Sequence, residues 1–442
     1  MEWNEILKAK ELADELRLVD VADFGIGIVA HVRRNGRRKL RSLLSLKGAM
    51  KDVPAIVVGA GPSLRDNGSL LEKFQNKALL IAAGTALEAM ETRPSLAVAV
   101  DRHVPLRRTK YFDVPLCLQG RVHPESLRGV TGELLYLSDS HFPVEPWLME
   151  QEALFDTGWT VGNGAVAIAA FLGCNPIVLI GMDFCYRDGR KYAHKEGEKI
   201  PLVEARNREG NVVSTQRDWL LAAQWMEEFA AKHPEISFLN ATTSGLPIFS
   251  PVALDSLQWP QRSIPTPWAD APRISLREEK LAEWRHSLEQ GERLVKELLL
   301  DPLWQIWKPL FERQTEIPFD EEVQKSLFFE QVIAEHLMDV REAFYPDGSL
   351  RTVEMYRDDV RDGETILFWP NGQRKRRLSF VQGKRHGLDE MWNEAGVLVD
   401  RGMYEEGSPV GVHQRFRDEG TLIEEIEYLE NGQWNFRYGE NV

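Results

Sequence analysis

Between residue 54 and about residue 240, short apolar runs alternate with stretches whose apolar positions recur at helical spacing. Ala55–Val58 is a β-branched run, followed by a helix-like Leu70–Phe74. Ala78–Ala83 precedes the helical Ala86–Glu91, and Leu96–Asp101 comes next. Val114–Leu118 and Leu134–Leu137 are shorter strand-like runs. A helix over Gly162–Leu172 leads into Pro176–Gly181, and the amphipathic Gln216–Lys232 precedes Ile236–Asn240. Runs this apolar read as strands buried on both faces. Their alternation with helices predicts an α/β domain over residues 51–258, a Rossmann-like, mostly parallel sheet with flanking helices.

The flanks follow other patterns. Residues 1–50 read as an N-terminal helical segment, with apolar residues at helical spacing from Glu5 to Leu18. The basic cluster Arg33 to Lys39 fits a solvated helix end better than an anion site. Residues 241–270, rich in Pro, Ser and Thr, are expected to wrap the surface, and residues 259–343 form a mainly helical segment. Trp284, Trp304 and Trp307 in that segment read as helix core.

From residue 344 to 442 the pattern becomes a repeat. Gly348, Gly372, Gly396 and Gly420 recur with a period of 24, each followed eight residues later by Tyr356, Phe380, Tyr404 or Tyr428. A second glycine (Gly363, Gly387, Gly411) is followed five residues on by Phe368, Trp392 or Phe416. Each unit supplies two strands and two turns, which predicts stacked β-hairpins in an all-β sheet.

The candidate chemistry gathers where the first strand ends, at Gly59-Ala60-Gly61-Pro62-Ser63-Leu64. Gly59 and Gly61 permit a sharp turn and close approach to a ligand, Pro62 stiffens it, and Ser63 adds a hydroxyl. Free amides at such a turn suit a phosphate; a tight turn without a ligand is the alternative. Leu64 replaces the third glycine of a dinucleotide fingerprint, and no Gly-Lys-Ser/Thr follows, so the turn is not a P-loop. Gly59, Asp101, Asp183 and Asn240 all end predicted strands, where a parallel sheet binds its ligands.

Composition narrows the function. A hydrophobic fraction of 43% suits a large core, and a net charge of −14 argues against non-specific nucleic-acid binding. Cys117, Cys174 and Cys185 are odd in number and lie in or beside apolar runs, which suits buried, reduced thiols. No signal peptide is visible, and the most membrane-like stretch, Gly164 to Met182, is cut by Asn175-Pro176. A cytoplasmic protein with no transmembrane segment is expected.

Several motifs in order resemble one domain family: the Gly59–Leu64 turn, Asp101, the small-residue run Thr160 to Ala167, Gly181-Met182-Asp183, His194, and Asn240-Ala241-Thr242-Thr243-Ser244-Gly245. That family comprises the Maf flagellin glycosyltransferases and the MptE-like 6-hydroxymethylpterin pyrophosphokinases, and the resemblance spans roughly residues 25 to 255. The turn and Gly181 to Tyr186 are also similar to bacterial sialyltransferases that use CMP-sugar donors. The chain departs from them at Pro94-Ser95, where Pro-Asp is common, and at Thr242 to Gly245, where Thr-Glu-Gly-Gly is usual. The tail resembles MORN-variant repeats, which usually serve as interaction surfaces.

The resemblance implies that Gly59, Ala60, Gly61, Pro62 and Ser63 cradle a nucleotide phosphate. It also puts Thr160, Gly162, Asn163, Asn240 and Thr242 in the nucleotide or sugar site, with a helix cap as the alternative for Thr160 and Asn163. Asp101 and Asp183 are candidates for ribose or base contact, for metal ligation, or for a structural hydrogen bond. His194, in a polar segment, is the general-base candidate.

The expected activity is transfer of a sugar, a nonulosonate, from a CMP-type nucleotide donor to a protein or glycan hydroxyl. The alternative enzyme is a Mg²⁺- and ATP-dependent pyrophosphokinase acting on a pterin alcohol, with Asp101 and Asp183 as metal ligands. A third reading is a non-catalytic scaffold whose repeat tail binds a protein partner.

Overall fold

The computed structural model describes residues 27–101, 110–138, 144–149, 157–187, 190–192, 202–290, 339–346, 349–357, 360–429 and 433–439, plus single positions at 106 and between 297 and 329. The chain divides into two compact units, Met1–Lys325 and Ser326–Val442.

The first unit is built on a ten-stranded, mostly parallel sheet. Its strands are β1 (Leu40–Ser42), β2 (Ala55–Val58), β3 (Leu79–Ala83), β4 (Leu96–Ala99), β5 (Leu116–Gln119), β6 (Leu134–Leu137) and β7 (Ile177–Ile180). A hairpin of β8 (Val203–Arg206) and β9 (Val212–Thr215) stands apart as its own two-stranded sheet. The main sheet is completed by β10 (Phe238–Asn240), β11 (Ser250–Pro251) and β12 (Arg273–Ile274). Strand order is β11-β10-β7-β2-β3-β4-β5-β6-β1-β12, and only the β1–β12 pairing is antiparallel.

Strands β2 to β7 are buried along their whole length, which is why the sequence shows continuous apolar runs rather than alternation. The helices are α1 (Gly27–Gly36), α2 (Leu64–Asn67), α3 (Ala86–Ala89), α4 (Val144–Met149), α5 (Val161–Phe171), α6 (Arg217–Lys232) and α7 (Glu278–Gln290). α5 lies across β2, β3, β4 and β7, and α6 packs on α5. Residues 162–169 of α5 are all buried, because Gly and Ala let a helix approach a sheet closely.

Three expectations change. The 1–50 segment is helical over Gly27–Gly36, but Leu40–Ser42 is a strand of the main sheet, as is Arg273–Ile274 beyond residue 258. Residues 339–343, expected within the helical segment, form a strand. Leu70–Phe74 is part of a 3₁₀ helix, Gly68–Phe74. Trp284 and Trp304 are buried as expected; Trp307 and the helix from Glu5 to Leu18 lie outside the described residues.

The second unit is an antiparallel all-β sheet. Its strands are β13 (Asp339–Phe344), β14 (Leu350–Arg357), β15 (Val360–Phe368), β16 (Arg374–Val381), β17 (Lys384–Arg385), β18 (Gly387–Trp392), β19 (Leu398–Glu405), β20 (Ser408–Phe416), β21 (Leu422–Tyr428) and β22 (Trp434–Gly439). Gly372, Gly396 and Gly420 sit in turns at φ of +87°, +83° and +89°. The amide of each donates to the carbonyl oxygen three residues earlier, on Trp369, Asn393 and Arg417.

The second set of glycines does not make turns. Gly363, Gly387 and Gly411 lie in strands, directly opposite Phe380, Tyr404 and Tyr428. The two sequence signals are thus halves of one cross-strand pair, and the positive φ of Gly363, Gly387 and Gly411 (+96°, +88° and +63°) is what calls for glycine there. The second turns fall instead at Gln382-Gly383 and Glu406-Gly407, where both residues have positive φ. That is the backbone of a two-residue type I′ hairpin.

Candidate functional site

The chain runs from β2 outward through β3, β4, β5 and β6, then crosses back to place β7 on the other side of β2. The point where the order reverses lies at the carboxyl ends of β2 and β7. In open parallel sheets that crevice is where ligands bind. Gly59 and Asp183 follow β2 and β7, Asn240 ends the adjacent strand β10, and Asp101 follows β4 on the same edge.

The turn after β2 is tied tightly to the end of β7. The Gly59 amide donates to the Ile180 carbonyl oxygen at 2.8 Å, and the Gly61 amide to that of Gly181 at 2.8 Å. Ser63 donates its amide to the Asp183 carboxylate (3.2 Å to Oδ2) and its hydroxyl to the same oxygen at 2.8 Å. Ser244 donates its hydroxyl to Oδ1 at 2.8 Å. Asp183 is 1% exposed, so burial pushes its carboxyl above the ordinary carboxylate range, against the pull of the Ser244 and Ser63 hydrogen bonds and the Arg187 charge.

These contacts give the glycines a different cause. A Cβ on Gly61 would stand 2.1 Å from Asp183 Oδ2, and one on Gly59 would stand 2.4 Å from the Gly181 carbonyl oxygen. Both residues are glycine because β7 and its aspartate press against the turn. The expected phosphate cradle is corrected accordingly: the amides of Gly59, Gly61 and Ser63 and the Ser63 hydroxyl are spent inside the protein, and Pro62 has no amide hydrogen. Of Asp183's three candidate roles, this arrangement is the structural hydrogen bond.

Thr160 and Asn163 form a reciprocal cap at the start of α5. Thr160 Oγ1 accepts from the Asn163 amide at 3.3 Å, and Asn163 Oδ1 accepts from the Thr160 amide at 3.1 Å. Asn163 is fully buried and also donates Nδ2 to the Ala222 carbonyl oxygen at 3.0 Å, anchoring α6. Gly162 abuts Met182: a Cβ there would meet its sulfur at 2.8 Å. Met182 stands equally close to Gly59, so the N-terminus of α5 borders the same crevice.

Asn240 and Thr242 hold the loop after β10. Asn240 Oδ1 accepts from the Thr242 amide at 2.8 Å and its Nδ2 donates to the Ile248 carbonyl oxygen at 3.0 Å. Thr242 Oγ1 accepts from the Met182 amide at 3.2 Å. Ala60 is buried, while Gly61, Thr160 and Asp101 keep accessible surface.

Strand order separates Asp101 from Asp183. Asp101 follows β4, three strand positions from β7, or about 14 Å at ordinary strand spacing. The structure does not bring it to Asp183, whose oxygens are already occupied. Among the described residues no group of three or more His, Cys, Asp or Glu could hold a metal ion. His194 lies outside the described residues.

Sequence reasoning missed Ser244, although the segment containing it was singled out. It also missed the ion pair between Asp66 and Arg187 (2.5 Å), which Thr243 joins through its hydroxyl. Burial, the largest single influence on the Asp66 carboxyl, raises it, but the Thr243 and Arg187 hydrogen bonds and the Arg187 charge together outweigh it and hold it below the ordinary range. No periodicity or spacing marks these partners, which meet only through the fold.

A family model described as 6-hydroxymethylpterin diphosphokinase MptE-like matches residues 31–189. No curated protein matches the chain. Among solved structures, the chain is similar to a Maf glycosyltransferase from Magnetospirillum magneticum AMB-1, with 17% identity and a TM-score of 0.48. That alignment covers 70% of this chain and 54% of the other, so the chain spans about half the length of that protein. A TarM mutant from S. aureus, solved with fondaparinux, α-GlcNAc-glycerol and UDP, aligns at 16% identity and a TM-score of 0.15 over 28% of this chain and 25% of its own.

Proposed function

We propose that this chain transfers a sugar, a nonulosonate, from a CMP-type nucleotide donor to a hydroxyl of a protein or glycan. The observation that carries the reading is the placing of the Gly59–Ser63 turn, Asp183 and the start of α5 at the point where strand order reverses. The turn serves as a floor rather than an amide cradle, and the N-terminus of α5 faces the crevice with its positive dipole end. In the reaction the acceptor oxygen attacks the anomeric carbon, the bond from that carbon to the phosphate oxygen breaks, and CMP leaves. The acceptor proton passes to His194 as general base, a role imidazole chemistry suits. The α5 N-terminus stabilises the departing phosphate.

The description of the matched family model favours a second reading, pyrophosphoryl transfer from ATP with Mg²⁺. That chemistry calls for carboxylates around the metal and the phosphates. Asp183 is saturated by Ser63 and Ser244 and stands three strand positions from the strand of Asp101, which weighs toward sugar transfer. In the third reading, a scaffold, the repeat tail serves a protein partner and the crevice is idle.

The test is release of CMP from a CMP-nonulosonate in EDTA, with and without an acceptor. Acceptor-dependent release that disappears in His194→Ala supports the proposal. Turnover unchanged in that variant removes His194 from the mechanism, and AMP release from ATP with a pterin alcohol, only with Mg²⁺ and with no CMP release, favours the pyrophosphokinase.

A further inference from the structure

The strand register of the tail sheet sorts its residues onto two unlike faces. On one face Ile366, Arg377, Glu390, Arg401, Gln414 and Glu425 stand opposite one another from strand to strand, a single row from β15 to β21. Beside that row, two residues along each strand, Leu388 is paired with Met403, and Val412 with Glu427. Leu388, Met403 and Val412 are 43%, 42% and 37% exposed. Asp389 and Gly402, on the opposite face, are buried. An apolar stripe across β18, β19 and β20 thus lies open beside a charged row.

Charge is unevenly divided along the sheet. Residues 351–385, which supply β14 to β17, contain nine Lys and Arg against five Asp and Glu. Residues 386–442, which supply β18 to β22, contain four against thirteen. The sheet is therefore basic toward β14 and acidic toward β22, near opposite ends of its strand order. The charged row shows the same division, with Arg377 toward one end and Glu425 at the other.

We propose that this face binds a second copy of the chain, face to face and with the strand order reversed. A half turn about an axis parallel to the strands, between β18 and β19, brings the same face of the second copy over the first. The basic strands β14 to β16 then lie over the partner's acidic strands β20 to β22. Leu388 falls over the partner's Met403, and Glu390 over the partner's Arg401. Each contact is made twice, as a two-fold interface requires.

The charge pattern selects this occupant. A partner of one sign would match half of the sheet and be repelled by the other half. Pairing two β22 strands edge to edge would set acidic half beside acidic half. The area also suffices. Nine strands about 4.8 Å apart, each about seven residues long at about 3.3 Å per residue, make a face of roughly 1,000 Å². A standard interface takes about 800 Å² from each partner. The inference concerns the second unit and holds whichever reaction the first unit carries out.

The experiment is sedimentation velocity of the full chain over a concentration series centred on about 10 µM. A monomer–dimer equilibrium with a Kd of about 1 µM is expected. Met403→Glu, at an exposed position where folding is not at issue, puts a carboxylate into the apolar stripe and should weaken the dimer about tenfold or more. Arg401→Glu should weaken it by a similar factor, and adding Glu390→Arg to that variant should restore it. Thermal melting of each variant confirms that it is folded. A chain that stays monomeric throughout, a dimer indifferent to Met403→Glu, or a charge swap that restores nothing overturns the proposal. Oligomers that keep growing with concentration would point to edge pairing and overturn it as well.

Discussion

Ser63 and Asp183, 120 residues apart in sequence, are joined through the Ser63 hydroxyl, which donates to Asp183 Oδ2 at 2.8 Å, and its amide, which is shared between Oδ2 at 3.2 Å and Oδ1 at 3.3 Å. Through this contact the turn after β2 and the turn after β7 become one structure at the reversal point of the sheet. The Gly59 and Gly61 positions follow from it, because both lie under β7 and its aspartate.

Removing that contact should be costly. Ser63→Ala deletes one hydrogen bond to a buried carboxylate and should destabilise the first unit by about 2 kcal/mol. Gly61→Ala drives a Cβ against Asp183 and the Gly181 carbonyl oxygen, and about 3 kcal/mol is expected from the overpacking. Urea unfolding followed by tryptophan fluorescence measures both. A Gly61→Ala protein as stable as wild type would show that the contact is not what requires the glycine.

The pH dependence has a definite sign. Burial raises the Asp183 carboxyl, so the folded state keeps a proton that the unfolded chain has already released. Its contribution to stability therefore falls as pH rises from about 3.9, the unfolded value, through the raised folded value. In Asp183→Asn this titration is gone. The wild-type advantage over the variant should be largest at the acid end of that interval and shrink toward neutrality. Urea unfolding across the interval checks this, and an advantage that grows with pH contradicts it.

The three thiols are all buried, and burial pushes the Cys117 thiol well up and those of Cys174 and Cys185 up to about 12. Little thiolate exists at neutral pH. Native protein should react with a thiol reagent far more slowly than denatured protein, which should titrate as three groups. Rapid labelling of the native chain would place at least one thiol in contact with solvent.

In the tail, Glu406 occupies a left-handed position, φ +45°, beside Gly407 at +92°. Asparagine tolerates that conformation better, so Glu406→Asn should gain about 1 kcal/mol, and Gly407→Ala should lose a similar amount. Hydrogen exchange at the β19–β20 hairpin reads both locally. Equal protection in the two variants would rule out turn strain as a factor there.

Much of the first unit was legible because strands buried on both faces leave unbroken apolar runs. Ala55–Val58 and Leu134–Leu137 match the observed strands residue for residue. Strands such as Leu40–Ser42 and Arg273–Ile274 are too short to carry a period and exist through their pairing with each other and, for Leu40–Ser42, with β6. In the tail the 24-residue spacing was visible, but the pairing of Gly387 with Tyr404 belongs to the register, which spacing alone does not specify. At the site, residue types and strand ends were readable. The partners were not: that Ser63 spends its hydroxyl on Asp183 depends on β2 and β7 being neighbours, a fact of topology.

The central claim is that the crevice at the ends of β2 and β7 holds a CMP-type nucleotide without a metal shared by Asp101 and Asp183. The direct measurement is a thermal-shift titration of the full chain with CMP and with ATP, each in Mg²⁺ and in EDTA. A ligand that binds only the folded state raises the melting temperature according to its occupancy. The account predicts stabilisation by CMP of equal size in Mg²⁺ and in EDTA. Stabilisation by ATP alone, and only with Mg²⁺, would contradict it.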